Sequence, residues 1–199
     1  DLERPFRLAI SPDGAHVYVP AIVEDAIVVF ARDSVTGALT FVEAEREGLD
    51  NPGQPDFPKA VAVSPDGNHV YVVTEWEGAL VVYARDSSTG ELTYVEKHLD
   101  GVAGVEGLAT AMALTVSANG EQVYVAGAGD SAIAVFNRDT GTGQLTFSTA
   151  IVDGVGGVDG LAGAFDVALS PDNDYLYVAG SLDSAIAVFS RDTSSGGLT

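Results

Sequence analysis

The sequence predicts an all-β protein made of four copies of one antiparallel four-stranded sheet, stacked as the blades of a β-propeller. Three observations carry this. A 53-residue period runs along the 199-residue chain. Within each period four short apolar segments alternate with turns rich in Gly, Pro, Asp and Ser. One segment is apolar at every position, which requires cover on both faces of the sheet.

The period is read from two markers. Ser11-Pro12-Asp13-Gly14 recurs as Ser64-Pro65-Asp66-Gly67, Ser117-Ala118-Asn119-Gly120 and Ser170-Pro171-Asp172-Asn173, and Arg32-Asp33 recurs at Arg85, Arg138 and Arg191. No insertion or deletion separates the copies. The chain therefore holds three full copies and 40 residues of a fourth, in one domain (1–199) with blades at about 1–53, 54–106, 107–159 and 160–199.

In the second copy the predicted strands are Ala60 to Ser64, His69 to Thr74, Ala79 to Arg85 and Leu92 to His98. Ser-Pro-Asp-Gly joins the first two: Pro presets φ, Asp bonds the backbone ahead of it, and Gly takes a positive φ. Arg85 to Gly90 uses Asp and Gly the same way. The third strands, such as Ala26 to Phe30 and Ala132 to Phe136, do not alternate. That excludes a lipocalin-type barrel, and the period is too long for the coils of a β-solenoid.

The fourth copy stops at Leu198-Thr199, where its outer strand should begin, and Asp1 to Pro5 are too few to supply it. Its third strand, Ala185 to Ser190, is then an unprotected edge, and self-association through open blade edges is expected. With no initiator Met and a start inside the pattern, the chain reads as a piece excised from a larger, seven-bladed propeller.

Charge excludes some partners. With 9 Lys+Arg against 29 Asp+Glu the net charge is −20, which disfavours nucleic acid and anionic membrane surfaces alike. No apolar run approaches the length of a spanning helix, so membrane insertion is not expected. The chain has no Cys and no signal peptide at its start.

The unit SPDGxxVYV, about six residues, then AIxVFxRDxxTGxLT, resembles the repeats of the lactonase-like seven-bladed β-propellers, which include 6-phosphogluconolactonase and carboxymuconate cyclase. The resemblance covers the whole chain. It implies ligand sites on the face formed by the loops that enter the first strand and join the second to the third. It also implies, for enzymatic members, Pro-Arg-His at inner-strand starts and Asn-Glu after the second strand. The matching triplets here are Pro5-Phe6-Arg7, Pro58-Lys59-Ala60, Ala111-Met112-Ala113 and Ala164-Phe165-Asp166, none with the His. Glu75 falls where the family's Glu would be.

From the missing His no catalytic residue is assigned. The expected function is a non-catalytic module for binding or surface display of an unidentified small molecule or protein. The alternatives are a fragment of a lactonase or cyclase acting on sugar-acid lactones, and a structural spacer. Arg7, Lys59, Glu75 and Trp76 are the candidate ligand-binding residues, the tryptophan able to stack a sugar or cation. An extracellular or periplasmic parent protein is expected, since non-catalytic surface-layer and extracellular proteins carry the same unit.

Two glycine-rich interblade loops carry carboxylates six residues apart, Asp100 with Glu106 and Asp153 with Asp159. Tight glycine turns beside Asp are how oxygen ligands gather around Ca²⁺, the one cofactor considered, although a plain loop with Asp capping amides accounts for the same residues. His16, His69 and His98 are expected at solvated strand ends. The repeated arginines are expected to bond turn carbonyls or an adjacent carboxylate.

Overall fold

The computed structural model describes residues 2–46, 48–49 and 56–199. The Asn51 to Pro55 stretch of the first interblade loop lies outside the described residues. Among the described residues fifteen strands form four antiparallel sheets, and there is no helix. The first sheet is β1 (Ala9–Ile10), β2 (His16–Ala21), β3 (Ala26–Arg32) and β4 (Leu39–Glu45). The second is β5 (Pro58–Val63), β6 (His69–Thr74), β7 (Ala79–Arg85) and β8 (Leu92–Leu99). The third is β9 (Ala111–Val116), β10 (Gln122–Gly127), β11 (Ala132–Arg138) and β12 (Leu145–Val152). The fourth has three strands, β13 (Ala164–Leu169), β14 (Tyr175–Gly180) and β15 (Ala185–Ser190), with one further bridge from Arg191 to Leu198.

Each sheet is a meander in chain order because every connection is a short turn. In the first turn the Ser11 amide donates to His16 O at 2.9 Å and the Gly14 amide to Ser11 O at 2.8 Å. The turn's last residue has φ between +63° and +75°, held by Gly14, Gly67 and Gly120 and, in the fourth copy, by Asn173, the side chain that best tolerates that region. The inner strand of the second sheet begins slightly earlier than expected, at Pro58 and not Ala60. A bulge there recurs in three blades, leaving Lys59, Met112 and Phe165 unpaired between the residues that stay in register.

Stacked sheets bury three successive cores. Tyr18, Ile27 and Val29 of the first blade meet Val70, Val72, Val81 and Tyr83 of the second. Tyr71, Leu80 and Val82 meet Val123, Val125 and Phe136 of the third. Tyr124, Ile133 and Val135 meet Leu176, Val178 and Phe189 of the fourth.

Each core is closed by a polar latch. Arg85 donates from Nε to the Tyr18 hydroxyl (2.7 Å), from Nη1 to Gly67 O (2.8 Å) and from Nη2 to Asp13 Oδ2 (2.8 Å). The Tyr18 hydroxyl donates onward to Gly90 O at 3.0 Å. Arg138 repeats the set on Tyr71, Gly120 and Asp66. Arg191 repeats it on Tyr124 and Asn173 O, with Gln122 Oε1 taking the carboxylate's place. All four repeated arginines thus bond a turn carbonyl, and Arg85 and Arg138 also bond a carboxylate, which belongs to the preceding blade.

The histidines differ from expectation. His16 and His69 are buried, not solvated, because the next blade covers them: His16 Nδ1 lies 2.8 Å from Arg85 Nη2, and His69 Nδ1 lies 2.9 Å from Arg138 Nη2. His98 is half-buried, its ring 5.3 Å from Phe136 of the next blade and its Nε2 3.1 Å from Glu96 Oε1.

Candidate functional site

The inner strands begin on the face that also carries the loops after the second strands, and there the chain gathers its unusual side chains. The bulge at Lys59 turns it out of the β5 ladder, so that Nζ lies 2.8 Å from Glu75 Oε2 at the end of β6 and 5.0 Å from the Phe6 ring centroid. The adjacent Trp76 is 61% exposed and stacks on Phe57 with centroids 5.2 Å apart. Glu75, Trp76 and Thr110 line an open cavity of about 300 Å³. Arg7 reaches across the arc to the equivalent position three repeats on, with Nη1 2.7 Å from Asp166 Oδ1 and its guanidinium 6.0 Å from the Phe165 ring.

Of the four predicted ligand residues, Lys59, Glu75 and Trp76 therefore form one group, and Arg7 is engaged by Asp166 across the mouth. Both cations are balanced by a carboxylate. Being partly exposed, each pair contributes little to stability, about 1 kcal/mol or less. A ligand anion can exchange with either carboxylate at small cost.

Behind Trp76 lies a cluster that sequence reasoning missed. Asp56 is buried, and no hydrogen-bond donor among the described residues reaches its carboxylate oxygens. Lys97 Nζ contacts Glu77 and stands 3.8 Å from Asp56 Oδ2. Burial raises the Asp56 carboxyl to about 7, with Lys97 opposing and the Glu77 carboxylate reinforcing. Asp56 is therefore protonated more readily than an ordinary carboxyl. A partial signal was present: the positions equivalent to Asp56 are Glu3, Ala109 and Ala162, and those equivalent to Lys97 are Ala44 and Ala150.

The predicted metal ligands divide. Asp153 Oδ1 accepts the Leu161 amide at 2.9 Å, and Asp100 Oδ1 accepts the Leu108 amide at the same distance. Asp153, Asp159 and Asp183 each place an oxygen within 4.8 Å of the others, Asp183 also accepting the Ala162 amide at 2.9 Å. In the preceding loop Asp100 faces Asp130, and its carboxyl is raised by burial and by that neighbour, while Glu106 is exposed. Three carboxylates are half or fewer of the six to eight oxygens that Ca²⁺ takes, so main-chain carbonyls or water would complete any such sphere.

Known proteins share the sequence pattern and the fold of this chain. The family described as "Lactonase, 7-bladed beta-propeller" matches residues 4–106 and 57–199. A 6-phosphogluconolactonase of Formosa agariphila is 30% identical over 101 residues, which are 50% of this chain and 27% of that protein. That of Pectobacterium atrosepticum is 26% identical over 140 residues, 70% of this chain and 41% of the relative. Among solved structures, the periplasmic gluconolactonase of Pseudomonas aeruginosa superposes with a TM-score of 0.75 at 27% identity, over 98% of this chain and 52% of that one. A Bacteroides uniformis structure at 21% identity and TM-score 0.78 shows the same fold. The chain spans about half or less of the length of these proteins. They correct the expectation of a non-catalytic module: the named relatives are lactonases.

Proposed function

The chain belongs to the lactonase family of seven-bladed β-propellers, and on that footing we propose that it is the four-bladed part of a hydrolase acting on sugar-acid lactones. The observation that carries this reading is the Lys59–Glu75 pair, held at 2.8 Å beside the exposed Trp76–Phe57 stack at the start of an inner strand. A sugar-acid lactone offers a ring face to an aromatic and a carbonyl to a cation. Glu75 takes a proton from the attacking water as the water oxygen bonds to the carbonyl carbon. Lys59 stabilises the oxyanion that forms. The ring C–O bond then breaks, the proton passes to the departing ring oxygen, and the product is the open-chain sugar acid.

Arg7 is suited to an anionic substituent at the far side of the mouth, exchanging Asp166 for it; the relatives named 6-phosphogluconolactonase support a phosphate there. An extracellular or periplasmic parent protein belongs to the same proposal, supported by the periplasmic gluconolactonase of P. aeruginosa. The test is acid release from 6-phosphogluconolactone and from gluconolactone, measured above the spontaneous rate. The expected result is hydrolysis that falls by about 10²-fold or more in Glu75→Gln, with Arg7→Met weakening KM for the phosphorylated lactone alone. A rate no faster than buffer, or one untouched by Glu75→Gln, overturns the reading.

A further inference from the structure

The second blade combines two features that the other three lack. It carries the aromatic stack of Phe57 and Trp76, whose counterparts are Arg4, Thr110 and Gly163 for the first ring and Val23, Gly129 and Leu182 for the second. It also carries the buried charges Asp56 and Lys97. The third blade has Ala109 and Ala150 at those two places, and the first, with Glu3, has Ala44 opposite.

Backbone bonds tie the two features together. The Glu75 amide donates to Phe57 O at 3.0 Å and the Trp76 amide to Asp56 O at 3.4 Å, while the Phe57 amide donates to Asp25 Oδ1 at 3.1 Å. Asp56 thus holds Trp76 on its own carbonyl and Phe57 as its chain neighbour. Phe57 has φ +51°, a region that a bulky side chain occupies only where its surroundings enforce it. The third blade makes the same connection, Ala128 amide to Thr110 O at 3.1 Å and Gly129 amide to Ala109 O at 2.9 Å, without a buried charge. The loop's backbone therefore does not need Asp56 and Lys97. What they accompany is the aromatic stack. A carboxylate 1% exposed, with no donor among the described residues on either oxygen and Lys97 Nζ 3.8 Å away, is costly to bury and acts on whatever is attached to it.

We propose that Asp56 is a positioning residue, whose carboxyl, set behind the stack beside Lys97, fixes where Phe57 and Trp76 stand at the mouth and, through the paired backbone, where Glu75 stands. The charged groups that face it are Lys97 from β8, Glu77 from the turn after β6 and Asp25 from the turn after β2. Burial raises its carboxyl, Lys97 opposes and Glu77 reinforces, so Asp56 changes charge above the usual carboxylate range. When it loses its proton, the new charge draws the Lys97 ammonium away from Glu77, and the bonds to Glu75 and Trp76 carry the shift to the mouth. The use of this platform for a lactone ring rests on the hydrolase reading.

Trp76 is the only tryptophan of the 199 residues, so its fluorescence reads the platform with no substrate present. Acrylamide quenching is followed from about pH 5 to 9, with Trp76→Phe as the blank. The unaltered chain is expected to show a one-proton transition, and Asp56→Asn none. In Lys97→Met the transition is expected at higher pH, because the opposing cation is gone, and in Glu77→Gln at lower pH, because the reinforcing carboxylate is gone. These opposite displacements keep the test open should one of the two variants fail to fold. A flat titration of the unaltered chain, a transition that survives Asp56→Asn, or displacements of the wrong sign overturn the inference. In lactone hydrolysis, KM is expected to follow the same midpoint and to lose that dependence in Asp56→Asn. If no lactone is hydrolysed, the hydrolase reading falls, and the fluorescence titration still decides the role of Asp56.

Discussion

Nη2 of Arg85 lies 2.8 Å from Nδ1 of His16, and because a guanidinium can only donate, the imidazole nitrogen must be the acceptor. His16 is therefore neutral at this nitrogen in the folded chain, with its other side turned to the Thr89 carbonyl. Burial and then the charge of Arg85 hold its pKa below the ordinary histidine value, and the same two causes act on His69 beside Arg138. Arg191 has no such restriction, since its partner is the amide oxygen of Gln122.

This arrangement sets the acid limb of stability. Above the unfolded-state histidine pKa of about 6.5 both states are neutral and the histidines contribute no pH dependence. As pH falls below it the unfolded chain takes up protons that the folded one refuses, so stability declines. His16→Gln with His69→Gln copies the third interface and is expected to flatten the denaturation midpoint between about pH 6.5 and 5. Urea titrations across that interval check it; an unchanged slope would show that the buried histidines do not govern it.

Gly90 is expected to be intolerant of a side chain for a reason that Gly37 lacks. Both have positive φ, +84° and +75°, so alanine strains each backbone similarly. At Gly90 alone the added Cβ would lie 2.2 Å from the His16 ring. Gly90→Ala should cost about 1 to 3 kcal/mol more than Gly37→Ala, the usual penalty for overpacking. Parallel chemical denaturation of the two variants measures the difference.

Asp56 should lower stability at neutral pH. Its folded pKa, about 7, stands above the unfolded value near 3.8, so its contribution is fully present below the unfolded value and is lost as pH rises through the folded one. Asp56→Asn keeps the shape and removes the buried charge. The variant should match the parent near pH 4 and exceed it increasingly up to about pH 7, where the gain levels off. Thermal melts at intervals of pH decide this, and a gain independent of pH would mean that packing, not ionisation, is responsible.

The strands, their turns and their stacking were legible because each depends on near neighbours. Ser64-Pro65-Asp66-Gly67 forms its turn through bonds between residues at most five apart, and the apolar run Ala79 to Tyr83 demands cover on both faces whatever supplies it. The group of Lys59, Glu75 and Trp76 was legible too, since one repeat aligned on the others places all three at one mouth. Their chemistry was legible only in part: the inner-strand starts lack the family's His, so no catalytic residue is assigned from them, whereas the named relatives are lactonases.

What tertiary structure decided lies between blades. His16 and Arg85 are 69 residues apart, and Asp56 and Lys97 meet only because a loop and an outer strand converge behind Trp76. The sequence determined which side chains stand at those positions. Whether each is solvated or buried, neutral or charged, depends on the neighbouring sheet that covers it, for only the removal of water makes a polar side chain need a particular partner.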